Sequence, residues 1–126
     1  MKRILFLDDN PARLRWALTN LGPGNVLTLA ETSAATIAAL ESANPTTPFN
    51  VVYLDHDLGD EEYADSGRTD TGYEVVRWII ANRPTIGTVV VHTANTPAGQ
   101  HMTADLVQYG YDARYVHFLR LCGICP

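Results

Sequence analysis

Three short apolar runs in this chain each stop on a titratable residue. Ile4-Leu5-Phe6-Leu7 runs into Asp8-Asp9-Asn10. Val51-Val52-Tyr53-Leu54 runs into Asp55-His56-Asp57-Leu58-Gly59, and Val89-Val90-Val91 into His92-Thr93-Ala94-Asn95. Runs of this length, rich in β-branched and aromatic residues, read as buried strands. Helical patterns lie between them, and strands alternating with helices argue for a parallel sheet covered on both faces. In such sheets ligands bind outside the carboxyl ends of the strands, where these runs place their acids and histidines.

The chain in order fills in this alternation. Residues 3–8 read as the first strand. Asn10 caps a helix with Pro11 at its first position, where a missing N–H does no harm, and Leu14, Leu18 and Leu21 give that helix an apolar stripe. Gly22-Pro23-Gly24 ends it. Residues 26–30 form a second strand, and Thr32 caps an alanine-rich helix that reaches about Ala43 with Ile37 and Leu40 inward. A breaker cluster from Asn44 to Pro48 precedes the third strand, 50–55. The polar segment 56–70 has no apolar period, and loops of roughly 15 residues inside compact domains are often functional. Thr71-Gly72-Tyr73-Glu74 has the spacing of a capping box. The helix it opens carries Val75, Val76, Ile79 and Ile80 and stops before Pro84. A fourth strand spans 86–92, and Thr96-Pro97 opens a helix with Met102 and Leu106 inward, ending at Gly110. A fifth strand spans 113–119.

Right-handed crossovers leave few ways to connect such a series. The expectation is a flavodoxin-like α/β fold: a doubly wound five-stranded parallel sheet in the order 2-1-3-4-5, helices on both faces, in a single domain over 1–126. In that order strands one, three and four are neighbours, so Asp8, Asp9, Asp55 and His92 share one edge.

Composition narrows the function classes. The chain has 126 residues, is 46% hydrophobic and carries a net charge of −5. That suits a packed core and no extended nucleic-acid surface, which is normally basic. No apolar run approaches the roughly 20 residues of a membrane span, and no signal peptide is recognised at the start. A cytoplasmic location is expected. Cys122 and Cys125 lack the second ligand pair or thioredoxin-like helix that a zinc or redox motif needs, so they read as reduced thiols.

Asp8-Asp9 after strand one, Asp55 after strand three and Thr93 after strand four resemble the acidic pocket and switch hydroxyl of receiver domains of two-component signalling. That resemblance implies Mg²⁺ on the three acids and a phosphoryl group accepted by Asp55. Receivers also carry a lysine after strand five. Here that region reads Tyr115-Val116-His117-Phe118-Leu119-Arg120, and the only lysine of the chain is Lys2. A narrower resemblance is to the cyclic-phosphate-processing receiver family. Its signatures are matched by Asp8-Asp9 with Arg13, by Asp55-His56-Asp57-Leu58-Gly59, by Thr71-Gly72, and by His92-Thr93-Ala94-Asn95 followed by Gly99 and Met102. The family name implies processing of a cyclic phosphate of a nucleotide or RNA end.

The residues themselves fit that chemistry. Asp8, Asp9 and Asp55 offer three oxygen donors, the set that Mg²⁺ or Mn²⁺ prefers. A histidine titrates near neutrality, so of His56 and His92 one can take a proton while the other gives one. Arg13 can hold phosphate with its planar fork, or form a surface ion pair. Asn95 and Thr93 can donate to phosphate oxygens or cap the following helix. Thr71 and Gly72 stand at a helix start, a natural anion site. Arg68 in the 60–70 loop would close over the ligand, and Asp57 would support a histidine or serve only as a loop-turn aspartate. Trp16 and Trp78 read as packing residues. His101 and His117 are given no role. The expected partner is a small phosphate-containing ligand, a cyclic nucleotide or an RNA terminal cyclic phosphate. Two other readings use the same pocket: a non-catalytic cyclic-nucleotide binder, and a receiver taking phosphate on Asp55.

Overall fold

A computed structural model describes residues 1–43, 46–56 and 71–117. Its elements run β1 (Arg3–Leu7), α1 (Pro11–Asn20), β2 (Val26–Ala30), α2 (Ser33–Ala43), β3 (Phe49–Leu54), α3 (Gly72–Asn82), β4 (Ile86–Val91), α4 (Thr96–Gln108) and β5 (Ala113–Tyr115). The strands form a sheet in the order β2-β1-β3-β4-β5, every pair parallel. This is the flavodoxin-like order that the alternation of runs predicts.

Period-two alternation sorts the strand residues between the two faces. Leu5, Leu7, Val52, Leu54, Val89 and Val91 point to one side and are buried with Leu40 of α2, Val75, Val76 and Ile79 of α3, and Met102 and Leu106 of α4. On the other side Phe6 meets Trp16 of α1 at 6.2 Å between ring centroids and Tyr53 at 5.5 Å. Trp78 is half-buried against the core. Both tryptophans therefore pack.

Three strands end one residue earlier than the sequence reading has them, and this matters for the site. Asp8, Asp55 and His92 each stand just past a strand. Each still donates its backbone N–H to the neighbouring strand: Asp8 to Ala30 at 3.0 Å, Asp55 to Leu7 at 3.2 Å and His92 to Leu54 at 2.9 Å. The sheet's hydrogen bonding thus holds the backbone of all three. β5 is short, although Val116 continues its pairing with an N–H to Val91 at 2.9 Å. The expected residues 118–119 of that strand, with Cys122 and Cys125, lie outside the described residues.

The helix starts follow local chemistry, with two corrections. Asn10 accepts from Ala12 and Arg13 N–H and caps α1, with Pro11 inside the first turn. Thr32 Oγ1 accepts from Ala35 N–H before α2. For α4 the cap is Asn95, accepting from Ala98 N–H, and Thr96 and Pro97 follow it. The capping box at α3 does not form: Thr71 sits at the cap position with no side-chain cap bond, and Glu74 faces Arg77 at 3.8 Å. The stripe on α1 also differs. Leu18 is 56% exposed, and Ala17 is the residue fully buried. The helix is rolled so that Arg13, Trp16 and Ala17 share the inner face, and Leu18, another 100° round from Ala17, turns to solvent.

Candidate metal and phosphate site

The carboxyl ends of β1 and β3 bring Asp8, Asp9 and Asp55 together. One ligand atom from each lies within 4.8 Å of the others. Asp8 and Asp55 are buried, and each splits its two oxygens between different duties. Asp8 Oδ1 accepts from Asn10 N–H at 2.9 Å, and Asp55 Oδ1 accepts from His56 N–H at 2.9 Å. The two Oδ2 atoms face Arg13, whose Nη1 stands 3.5 Å from that of Asp8 and 3.7 Å from that of Asp55. The backbone fixes each carboxylate by one oxygen, and the other, in Asp8 also met by His92 Nε2, lies toward a shared space. Oxygen donors so arranged suit Mg²⁺ or Mn²⁺.

His92 belongs to this cluster. Its Nε2 lies 3.1 Å from Asp8 Oδ2, and its ring stacks on Phe6 at 4.7 Å with 17° between planes. Burial pushes its pKa below the ordinary value, and Arg13 adds to that, while the hydrogen bond and charge of Asp8 oppose it. Burial thus favours the neutral ring. Because an ionised carboxylate only accepts, the proton sits on Nε2 and is donated to Asp8.

His56 is placed differently. It follows Asp55 directly, so strand alternation carried past Leu54 sends it toward the opposite face. Its ring lies edge-on to Tyr73 of α3 at 6.4 Å, and its Nδ1 is 3.5 Å from Asn95 Nδ2. Asn95 Oδ1 is engaged by Ala98 N–H. The amide therefore turns its N–H to His56, whose Nδ1 accepts and whose proton sits on Nε2. The two histidines do not flank the carboxylates symmetrically: His92 touches Asp8, and His56 is lodged between α3 and the start of α4.

Gly72 is required by closeness. A Cβ there would stand 1.6 Å from the Asp55 carbonyl oxygen. Its N–H donates to the His56 carbonyl at 3.0 Å, so it is committed to the protein and is not an open anion donor. Thr71 is buried beside it. Thr93 Oγ1 accepts from Asn95 N–H at 3.0 Å, stabilising the turn into α4. Asp57 and Arg68 lie outside the described residues.

Tyr115 takes part in the site although the sequence reading passes it over. Its hydroxyl donates to the Thr93 carbonyl at 3.1 Å and lies 3.1 Å from Thr96 Oγ1. Gly99 makes room for its ring: a Cβ at that position would stand 2.4 Å from it. The available signal was register, since Tyr115 pairs with Val91, the residue before His92.

No curated protein matches the chain significantly. Among solved structures it is similar to a CheY-like response regulator receiver domain from Methanospirillum hungatei, with 24% identity, 93% of this chain and 81% of that chain covered, and a TM-score of 0.64. It is similar to the response regulator TrrA from Thermotoga maritima in complex with Mg²⁺-BeF, at 24% identity, 93% and 86% coverage and a TM-score of 0.64. A signal receiver domain from Vibrio parahaemolyticus follows at 20% identity, 98% and 85% coverage and a TM-score of 0.63. These likenesses establish the fold. Among the described residues no helix is long and apolar enough to cross a membrane. The family model for the cyclic-phosphate processing receiver domain matches residues 3–108, which hold both carboxyl-bearing strand ends, Arg13 and His92, and the chain belongs to that family.

Proposed function

We infer that this domain is a metal-dependent phosphoesterase that processes the cyclic phosphate of a nucleotide or an RNA end. One observation carries the reading: Asp8 and Asp55 are each anchored by Oδ1 and present Oδ2 to a common space, beside Asp9 and under the guanidinium of Arg13. Asp8, Asp9 and Asp55 would hold the cation, and Mg²⁺ or Mn²⁺ supplies polarisation of a phosphoryl oxygen and a lowered pKa for water. Arg13 offers a planar fork for phosphate oxygens at the mouth of the same space. His92 keeps Asp8 oriented through Nε2.

Opening a cyclic phosphodiester adds water across one P–O bond. The water oxygen joins phosphorus, the sugar oxygen leaves, one proton departs from the water and one arrives on the sugar oxygen. Proton transfer is proposed for His92, by way of the Asp8 carboxylate that its Nε2–H meets, and for His56. Asn95 and Thr93 shape the turn that holds His56, and Thr71 and Gly72 close the far side.

The receiver alternative lacks one part. Lys2, the only lysine, precedes β1 and pairs with Asn25 and Val26 at the amino end of the sheet, opposite the end that carries Asp55. The test is a ³¹P NMR time course with 2′,3′- and 3′,5′-cyclic nucleotides and Mg²⁺ or Mn²⁺, beside an Asp8→Asn/Asp55→Asn double variant. New phosphomonoester signals with the wild type alone are expected. Unaltered ligands with shifted signals would replace the enzyme by a cyclic-nucleotide binder. Hydrolysis at the wild-type rate by the double variant would remove the carboxylates from the mechanism.

A further inference from the structure

We propose that Arg13 is a tethered counter-ion that a divalent cation must displace from the carboxylates before it can bind. This rests on the metal reading above and concerns what the chain does when no metal is bound. Two oxygens define the contest. Asp8 Oδ1 and Asp55 Oδ1 are committed to the backbone N–H groups of Asn10 and His56. The Oδ2 atoms of these residues turn to the shared space, that of Asp8 also meeting His92 Nε2 at 3.1 Å, and Arg13 Nη1 stands between them at 3.5 and 3.7 Å. A cation held by the same oxygens would face the guanidinium inside one partly buried pocket, where like charges repel strongly.

Charge-assisted N–H···O bonds close at about 2.7–2.9 Å, so the contacts of 3.5 and 3.7 Å to these two carboxylates are ion pairs rather than close hydrogen bonds. The side chain is 24% exposed, against 0% and 3% for its two partners, so its head can turn outward while they stay. The anchor does not move with it. Arg13 lies in the first turn of α1, its backbone N–H on Asn10 Oδ1 at 3.3 Å. The displaced head therefore remains at the rim of the pocket, available to the phosphate that the preceding reading assigns it.

The chain thus carries its compensating cation on α1, immediately after Asp8-Asp9. Three converging carboxylates repel one another without a positive charge nearby. A resident arginine relieves that repulsion when metal is absent and weakens the affinity for metal.

The experiment is Mn²⁺ binding, read by the loss of free-ion EPR signal, for the wild type and for Arg13→Gln, Arg13→Lys and Arg15→Gln. Arg15 is exposed on the same helix, so Arg15→Gln removes the same formal charge at a distance from the carboxylates. Arg13→Gln is expected to bind Mn²⁺ roughly tenfold tighter than wild type. Arg15→Gln is expected to change affinity by less than about twofold, since exposed charges are well screened. Arg13→Lys should stay near wild type, and folding of each variant is verified by circular dichroism. Arg13→Gln binding no more tightly than Arg15→Gln would overturn the competition while leaving the metal site intact. Absence of Mn²⁺ binding in wild type and Arg13→Gln alike would overturn the metal site, and the competition with it.

Discussion

His92 directs Nε2 at Asp8 Oδ2 across 3.1 Å, with both side chains fully shielded from solvent. The residues are 84 positions apart in sequence, and the bond joins the ends of β1 and β4 across β3. His92→Phe retains a ring to stack on Phe6 and removes the donor. The expected loss is about 1–3 kcal/mol in urea denaturation, the cost of leaving a buried charged acceptor short of a partner. A Phe variant as stable as wild type would show that Arg13 and the Asn10 N–H suffice for Asp8.

Gly72→Ala tests the contact between α3 and the end of β3. In an exposed helix, alanine would stabilise by about 1 kcal/mol relative to glycine. Here the added carbon collides with the Asp55 carbonyl, and backbone cannot yield as a flexible side chain does. The expectation is a loss of more than about 3 kcal/mol or failure to fold, measured by urea denaturation. The sign alone decides between the two effects.

Tyr73 ties α3 to α4 through a hydrogen bond from its hydroxyl to Asp105 Oδ2. Its pKa is pushed up to about 12, first by burial, then by the bond to Asp105 and that carboxylate's charge, with Arg77 opposing. The folded pKa lies above the unfolded value of 10.0. The stabilisation is therefore complete below pH 10 and declines as pH rises from there toward 12. Tyr73→Phe should cost about 1 kcal/mol at neutral pH and should flatten that alkaline decline. Subtracting its phenolate absorbance titration from that of wild type isolates Tyr73 from Tyr53 and Tyr111, whose values are also raised.

The sheet order and the gathering of Asp8, Asp55 and His92 were legible because both depend on coarse features: apolar runs of strand length and the residue on which each run stops. The roll of α1 was not. Leu14, Leu18 and Leu21 make a plausible stripe in isolation, but the packing of Arg13 and Trp16 inward sets which side faces the sheet. The absent capping box at Thr71 has a similar cause, since the start of α3 is fixed by the Gly72 N–H on the His56 carbonyl. The divergence of His56 from His92 lay within reach of strand parity, because Asp55 and His56 are adjacent and strand neighbours point opposite ways. Tyr115 required the register of β5 against β4, which no local pattern encodes.

Asp8, Asp55 and His92 owe their positions to N–H bonds made one step beyond the strands. Each bond needs its own pair of strands, and all three are closed together only when β2, β1, β3 and β4 lie side by side. Assembly of the acidic pocket is therefore a late, non-local event in folding, with slow loop closures ahead of it. A chain halted before β4 would possess every carboxylate of the cluster and still lack the imidazole that orients Asp8. Partly folded molecules would carry the charges without the arrangement, and binding at this pocket would report completion of the sheet.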